Sequence, residues 1–196
     1  MLPCPDEIRT KRLILRRWRE EDFARHAALH ADPKVRRFFV GTMTVEEGEA
    51  DARLHAENFE RHGFDQWVIE LPGEAAFIGV AGLRRIQRDM PFRPLVDVGW
   101  HFLPAYWGKG YATETACAAL HDVFARTDLQ EVVAYTSRLN KPSQRVMQRL
   151  GMTHDPAEDF PHPKIPAGHS LQMHVLYRLS RQAFLDRFPV QSQGSL

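Results

Sequence analysis

The segment between Trp107 and Thr113 has the residue types and spacing that most clearly indicate chemistry. It reads Trp-Gly-Lys-Gly-Tyr-Ala-Thr and lies between a predicted strand and a predicted helix. Glycines allow the backbone to approach a ligand closely, because no Cβ stands in the way. Successive amides at a helix N-terminus can point to one anion, so the segment predicts a diphosphate-binding loop. Taken alone, the two glycines also fit a strand-to-helix turn that binds nothing.

Two familiar phosphate-binding patterns do not fit this segment. The loop of nucleotide triphosphatases requires Gly-Lys followed by Ser or Thr, whereas Gly108-Lys109 is followed by Gly110. The dinucleotide fingerprint requires three glycines at a spacing that the segment lacks. A P-loop-like nucleotide-binding enzyme is therefore disfavoured. The amides, with added charge from Lys109, would hold a different diphosphate.

The elements that would position this loop follow from hydrophobic periodicity. Apolar-polar alternation and short β-rich runs predict strands at 10–18, 66–71, 75–83, 95–103, 131–137, 152–155 and 174–179. Apolar residues at helical spacing and suitable end residues predict helices at 20–30, 45–61, 111–126 and 142–150. Thr44 and Glu47 form a capping-box pattern before the second helix, and Gly63 is suited to end it. This order predicts a mixed α/β fold with an antiparallel middle, as one domain over residues 1–196.

The composition argues against several classes of protein. With 26 Lys and Arg against 25 Asp and Glu, the chain has no broad basic surface for nucleic acid. The pairs Arg16-Arg17 and Arg36-Arg37 are interpreted as solvated surface. The two cysteines form neither a disulfide framework nor a zinc signature. Without a secretory leader or a membrane-spanning apolar run, a cytoplasmic protein is predicted.

Three segments of the chain resemble the GNAT superfamily of N-acetyltransferases. The stretch 107–112 is similar to that family's acyl-coenzyme A loop, Gln/Arg-X-X-Gly-X-Gly/Ala, with Trp107 replacing the first polar residue. Asn-Lys-Pro-Ser at 140–143, followed by Leu-Gly-Met at 150–152, is similar to segments of the branch that acetylates ribosomal-protein N-termini. The opening around Arg12 also resembles that branch. The resemblance extends from about Arg9 to Asp186.

The resemblance implies a fold, a cofactor and a reaction. The implied GNAT fold is a twisted, largely antiparallel sheet of about seven strands, splayed at its fourth strand by a bulge and flanked by about four helices. Acetyl-CoA is the implied cofactor and a primary amine the implied acceptor. The pantetheine arm would pair with the strand from Asp97 to Leu103 as an added strand does, and the backbone groups of His101, Phe102 and Leu103 would face it. The residues implied in cofactor binding are His101, Phe102, Leu103, Trp107, Gly108, Lys109, Gly110, Tyr111, Ala112, Thr113, Asn140 and Ser143.

Ser143 is the implied proton donor to the leaving thiolate, because it matches the serine of the Asn-X-X-Ser segment. Many relatives instead use a tyrosine seven residues after the asparagine, but Met147 stands at that position and cannot donate a proton. A serine near a helix start also commonly caps the helix. Both interpretations of Ser143 stay open at this point.

Asp97 and His101 are the candidate bases for taking a proton from the amine. Strand alternation places both side chains on one face of the sheet. Asp97 matches the place of a base glutamate in some relatives, while His101 has an ordinary pKa nearer neutrality. A solvated or ion-paired Asp97 is the competing interpretation. Glu114, in the first helical turn, is interpreted as stabilising the helix dipole.

The stretch 155–170 contains four prolines and no periodicity, which predicts a long loop near the acceptor site. His162, His169 and His174 could shape that pocket or assist proton transfer. Their spacing matches no zinc pattern, so no metal site is assigned. The loop differs from that of the ribosomal acetylases, which leaves the acceptor open between a peptide N-terminus and a small-molecule amine. A homodimer is an expected assembly, and a noncatalytic acyl-CoA-binding module is the alternative function.

Overall fold

The computed structural model describes residues 3–189 of the chain. Within this range the strands are β1 (Glu7–Arg9), β2 (Ile14–Arg16), β3 (Gln66–Leu71), β4 (Ala75–Arg85), β5 (Val96–Phe102), β6 (Glu131–Ser137), β7 (Thr153–His154), β8 (Phe160–Pro161) and β9 (Met173–Ser180). The helices are α1 (Glu20–Ala31), α2 (Val45–His62), α3 (Tyr111–Arg126), α4 (Lys141–Arg149) and α5 (Arg181–Arg187). Single 3₁₀ turns occupy Pro104–Tyr106 and Pro156–Glu158.

The strands form one sheet in the order β1-β2-β3-β4-β5-β6-β9-β7, with β8 paired to β9. The pairing of β5 with β6 is parallel, and the other pairings are antiparallel. The predicted mixed α/β fold with a largely antiparallel sheet is therefore confirmed. Within the described residues the sheet has nine strands where about seven were expected, and five helices flank it where about four were expected.

Local hydrogen bonds explain the additional strands. Of the predicted strand 10–18 only β2 is a strand, and β1 lies before this range. Thr10 closes the turn between the two strands by donating its N–H to the carbonyl of Leu13 at 2.9 Å. The predicted loop 155–170 is not wholly irregular. Phe160 and Pro161 pair with β9, and a 3₁₀ turn at Pro156–Glu158 precedes them.

Helices cover both faces of the sheet, and the loop 107–110 lies where α3 meets β5. Leu120 on α3 belongs to the same buried cluster as Leu83 on β4. Leu29 on α1 is buried in a separate cluster with Val80 of β4. Because successive strand residues face opposite sides, Leu83 and Val80 mark the two faces. The end of β5 is thus held between α3 on one side and α1 on the other.

The second helix begins and ends as its sequence predicts. Thr44 Oγ1 accepts from the N–H of Glu47 at 3.2 Å, and Glu47 Oε2 accepts from the N–H of Thr44 at 2.9 Å. Gly63 ends the helix with φ 72°, in the left-handed region that glycine adopts without strain. These caps fix the position of α2 beside α1. Within residues 3–189, no helix is long and apolar enough to cross a bilayer.

Arg16 is an interior residue, which corrects its interpretation as solvated surface. Its side chain is 5% exposed and reaches the fully buried Asp22 at 2.6 Å. A second bond joins Nη2 to the other Asp22 oxygen at 2.9 Å, so the pair is bidentate. Glu70 and the carbonyl of Ala76 accept further bonds from the same guanidinium. The arginine therefore joins β2, α1 and the sheet from inside.

Candidate functional site

Strands β5 and β6 separate after a single paired position. Asp97 of β5 pairs with Val133 of β6, and no later residue of β5 has a partner on that side among residues 3–189. β5 continues to Phe102 and β6 continues to Ser137. The splay predicted for this strand is therefore confirmed, and it leaves one edge of β5 open.

The open edge exposes different peptide groups from those expected. β5 pairs with β4 in one continuous register, and the N–H of Leu103 donates to the carbonyl of Ile78 at 3.0 Å. Antiparallel pairing alternates, so the peptide groups of His101 and Leu103 point to β4 and those of Trp100 and Phe102 point to the opening. The expectation that the backbone of His101 and Leu103 faces the cofactor is corrected. The expected bulge is also not found in the β4–β5 ladder.

The loop that follows β5 presents a run of main-chain N–H groups. Gly108 and Gly110 have φ values of 75° and 82°, a conformation strongly unfavourable for other residues. Gly110 is the N-cap of α3. Across residues 3–189, no acceptor is found for the N–H groups from Gly108 to Thr113. A helix N-terminus with a glycine loop before it binds anions through such groups.

Residues at the start of the chain hold this loop in place. Arg12 Nη1 donates to the carbonyl of Lys109 at 2.9 Å, and its guanidinium lies 4.6 Å from the centre of the Tyr111 ring. Arg12 also pairs with Glu114, which accepts a bond from Thr10 Oγ1 at 2.6 Å. Burial tends to raise the pKa of Glu114, but the bonds from Thr10 and Arg12 outweigh it and lower that pKa. Only a dipole role was predicted for Glu114, because no local sequence pattern signals a contact between residues 10–12 and 114.

Trp107 fixes the end of β5 to the loop. Its indole N–H donates to the carbonyl of Phe102 at 2.7 Å, while Arg37 lies 5.1 Å from the centre of its ring. The Phe102 carbonyl is therefore occupied, and its N–H remains on the open edge. Lys109 Nζ lies over the ring of Tyr106 at 5.2 Å, beside the free amides. The positive charge of Lys109 thus lies next to the N–H groups that could bind an anion.

Asp97 is held in an ion pair. Arg84, its cross-strand partner on β4, donates from Nε to Asp97 Oδ1 at 3.0 Å, and the aspartate side chain is 6% exposed. The charge of Asp97 raises the pKa of Arg84 above its ordinary value. This geometry is the ion-paired alternative considered for Asp97, and it leaves the carboxylate occupied.

His101 lies on the same face, four residues further along β5. Its ring packs edge to face against His30 of α1 at 4.8 Å and against Phe39 at 5.6 Å. Burial, with a contribution from the nearby charge of Arg84, lowers the pKa of His101 to about 3. This pKa lies well below the near-neutral value expected for a histidine base. His101 is neutral at physiological pH and a weak base.

A family of known proteins matches most of this chain. The acetyltransferase (GNAT) domain matches residues 12–153, well over half of the chain. The chain belongs to the GNAT acetyltransferase family. The uncharacterized N-acetyltransferase YnaD of Bacillus subtilis is 28% identical over 162 residues, which cover 83% of this chain and 89% of YnaD.

Solved structures of GNAT proteins have the same fold. A GNAT-family acetyltransferase from Bacillus anthracis superposes with a TM-score of 0.72 at 25% identity, covering 90% of this chain and 99% of that protein. The ribosomal-protein acetyltransferase RimL, solved in complex with coenzyme A, gives a TM-score of 0.71 over 92% of this chain and 98% of RimL. RimL is 16% identical, so this likeness shows the fold alone.

The GNAT segment Asn-X-X-Ser lies at the start of α4, directly after β6. Asn140 is the N-cap, and its Oδ1 accepts from the N–H of Ser143 at 3.3 Å. Its amide nitrogen donates to Thr136 Oγ1 at 3.0 Å. Asn140 therefore performs the capping that was considered for Ser143. The Ser143 hydroxyl is half-buried and makes no hydrogen bond to the described residues.

Two of the three histidines around the predicted loop come together near β6. The rings of His162 and His174 are 4.7 Å apart, and each lies 6.1 Å from the ring of Tyr135. Burial, with the neighbouring His174, lowers the pKa of His162 to about 4. His169 is not part of this group; its Nδ1 accepts from the N–H of Leu171 at 3.1 Å. The His162–His174 pair therefore lies beside β6, the strand that borders the opening.

Proposed function

We propose that the protein is an acetyl-CoA-dependent N-acetyltransferase that transfers the acetyl group directly to a primary amine in a ternary complex. The run of unpaired N–H groups from Gly108 to Thr113, next to the open edge of β5, carries this proposal. A cofactor with a diphosphate at one end and an amide-containing arm at the other matches both features. Membership of the GNAT acetyltransferase family supports acetyl-CoA as that cofactor.

The cofactor arm is assigned to the opening between β5 and β6. Peptide groups of Trp100 and the N–H of Phe102 point there, and an extended amide chain can pair with them as an added strand does. The diphosphate then lies at the N-terminus of α3, where the helix dipole favours negative charge. This arrangement brings the thioester beside the face that carries His101.

The chemistry needs an oxyanion donor and a proton for the leaving thiolate. A backbone N–H on the open edge, that of Trp100, is preorganised for the developing oxyanion and has no competing strand partner. Ser143 is the proposed proton donor to the thiolate, because its hydroxyl makes no hydrogen bond within residues 3–189 and α4 begins directly after β6. As the C–S bond breaks, the hydroxyl passes its proton to the sulfur and takes one from the nitrogen that attacked, so the serine is left neutral. Its capping function is performed by Asn140, which leaves the hydroxyl available.

The acceptor amine is proposed to lose its proton to solvent before attack. Asp97 is paired with Arg84 and the pKa of His101 is about 3, so neither is suited to act as base near neutral pH. A neutral amine is itself a competent nucleophile. The acceptor is either a peptide N-terminus or a small-molecule amine.

Coupled binding and turnover assays test this proposal. Release of coenzyme A thiol from acetyl-CoA is followed with dipeptides, polyamines and aminoglycosides as acceptors. Thiol release with at least one amine, saturable in both substrates, is expected. Cofactor binding without thiol release across the panel would instead indicate a noncatalytic acyl-CoA-binding module.

A matched pair of glycine variants tests the loop assignment. Gly110→Trp fills the space in front of the free amides and is expected to abolish coenzyme A binding by calorimetry. Gly73→Trp is the control, because Gly73 has a similar φ of 76° and open space around it, in the turn between β3 and β4. If both variants bind coenzyme A as the native protein does, the loop does not hold the diphosphate.

A further inference from the structure

Two histidines of α1 and one aspartate of α2 converge in the interior. His26 and His30 are four residues apart and so lie on the same face of α1. Asp51 approaches from α2, and potential ligand atoms of the three residues lie within 4.8 Å of one another. We call these residues the α1–α2 cluster. The catalytic proposal above uses none of them.

The two histidines of the α1–α2 cluster are buried and have too few hydrogen-bond partners. His26 is 0% and His30 is 2% exposed. Neither ring nitrogen of His30, nor Nδ1 of His26, has a hydrogen-bond partner among residues 3–189. A neutral imidazole carries one N–H donor and one lone pair, and burying them unpaired is unfavourable.

Asp51 supplies the negative charge of the cluster and is the member that solvent can reach. Its Oδ2 is 2.9 Å from His26 Nε2 and 3.4 Å from His55 Nε2, while Oδ1 accepts no bond from the described residues. Its side chain is 32% exposed. It lines an open pocket of ≈ 540 Å³ between α2 and the segment that follows α1, with Arg36, Met43 and Glu47 among the other lining residues. An ion can therefore reach the cluster from solvent.

We propose that His26, His30 and Asp51 form a binding site for a divalent transition-metal ion of the zinc type. Two imidazoles and one carboxylate are a ligand set that such ions prefer, and the fourth position is left for a water. For metal–ligand bonds of about 2.0–2.1 Å, tetrahedral ligand atoms lie about 3.3 Å apart. The 2.9 Å between His26 Nε2 and Asp51 Oδ2 is near that spacing. This proposal assigns metal ligands where the sequence analysis assigned none, and it does not depend on the acetyltransferase activity.

Carboxylates outnumber the basic side chains around the cluster. His55 lies between two of them, with Nε2 3.4 Å from Asp51 Oδ2 and Nδ1 2.5 Å from Asp65 Oδ1. Glu47 and Arg36 line the same pocket as Asp51. Three carboxylates beside one arginine and one histidine make the surroundings of the cluster favourable for a cation.

Cobalt titration of the metal-free protein tests this site. The full chain is treated with EDTA, dialysed and titrated with CoCl₂ while its visible d–d absorption is recorded. One Co²⁺ per chain, with bands of a four- or five-coordinate ion that disappear when ZnCl₂ is added, is the expected result. ZnCl₂ is also expected to raise the melting temperature of the native protein, because an ion that binds only the folded state stabilises it.

Single-residue variants test which side chains bind the Co²⁺ ion. His30→Gln and Asp51→Asn each remove one ligand and are expected to weaken Co²⁺ binding by about tenfold or more, in line with the sensitivity of metal sites to single losses. His162→Gln is the matched control, because it removes a histidine of the other close pair and is expected to bind Co²⁺ normally. Circular dichroism of each metal-free variant checks folding. If His30→Gln does not fold, the Co²⁺ affinity of Asp51→Asn is the test of the site.

Three results would overturn the site. The first is no saturable Co²⁺ spectrum with the native protein. The second is unchanged Co²⁺ affinity in the folded ligand variants. The third is a loss in His162→Gln as large as that in the ligand variants, which would place the ion at the other histidine pair.

Discussion

Arg12 Nε lies 2.7 Å from Glu114 Oε2, and this contact joins the turn between β1 and β2 to the first turn of α3. The same guanidinium donates to the Lys109 carbonyl, so one side chain holds both ends of the proposed diphosphate loop. The partners are about one hundred residues apart in the chain. Preorganisation of a binding loop reduces the entropy lost when a ligand binds.

Removal of this brace is expected to weaken cofactor binding while the fold remains. Arg12→Met keeps the apolar stem and deletes the ion pair and the bond to Lys109. The contact is partly exposed, so a loss of roughly 1 kcal/mol, about fivefold in coenzyme A affinity, is expected. Calorimetry measures this, with Arg9→Met as control because, among residues 3–189, the Arg9 side chain pairs only with Glu7. Equal affinity of Arg12→Met and the native protein would show that the brace does not order the loop.

Ser143→Ala is expected to separate turnover from cofactor binding. Loss of the proton donor lowers kcat by roughly 10²-fold, since general acid catalysis typically contributes about 10²–10⁴-fold. The dissociation constant of coenzyme A changes little, because Asn140 caps α4. Ser180→Ala is the control: Ser180 caps α5 and accepts from Ala183 N–H at 3.1 Å, so its loss lowers stability but not kcat. Unchanged kcat in Ser143→Ala would remove this serine from the chemistry.

The pH dependence of kcat/KM is expected to follow the acceptor and not the enzyme. His101 has a pKa of about 3 and is neutral throughout the usual working range, so it adds no titration step there. The rate therefore rises with pH as the amine loses its proton, and levels off at the amine's own pKa. Profiles with two acceptors of different basicity, in native protein and His101→Gln, measure this. A step near pH 6.5 that is common to both acceptors and absent from His101→Gln would identify His101 as the base.

The buried pair of Arg16 and Asp22 is expected to matter strongly for stability. Arg16→Met leaves the fully buried Asp22 carboxylate with the partly exposed Arg25, 3.3 Å away, as its remaining cation. Breaking a buried pair in this way typically destabilises by about 3–5 kcal/mol. The double variant Arg16→Met, Asp22→Leu is expected to recover much of that loss, because no charge is then left buried. Urea unfolding of the two proteins checks this. A single variant within 1 kcal/mol of the native protein, by the same order-of-magnitude reasoning, would contradict it.

Local elements were well predicted because their signals are local. The bounds of α3 and of β3 and β6 agree with the sequence analysis, and the capping box of Thr44 is present as predicted. Gly108 and Gly110, in the proposed diphosphate loop, both adopt the left-handed conformation. In each case the physical cause lies within a few residues.

Pairings between distant segments could not be predicted in this way. The burial of Arg16 depends on Asp22 and the sheet around Ala76, and no local pattern distinguishes it from the exposed arginines nearby. The direction of the His101 and Leu103 peptide groups depends on the β4–β5 register, which the sequence leaves open by one residue. The low pKa of His101 likewise results from burial against α1, on another segment of the chain.

A crystal structure with bound acetyl-CoA would test the proposed cofactor site. We expect diphosphate oxygens within hydrogen-bonding distance of the N–H groups between Gly108 and Thr113, with the arm beside Trp100 in the opening between β5 and β6. A cofactor whose diphosphate lies elsewhere, with those N–H groups bound only to water, would contradict it.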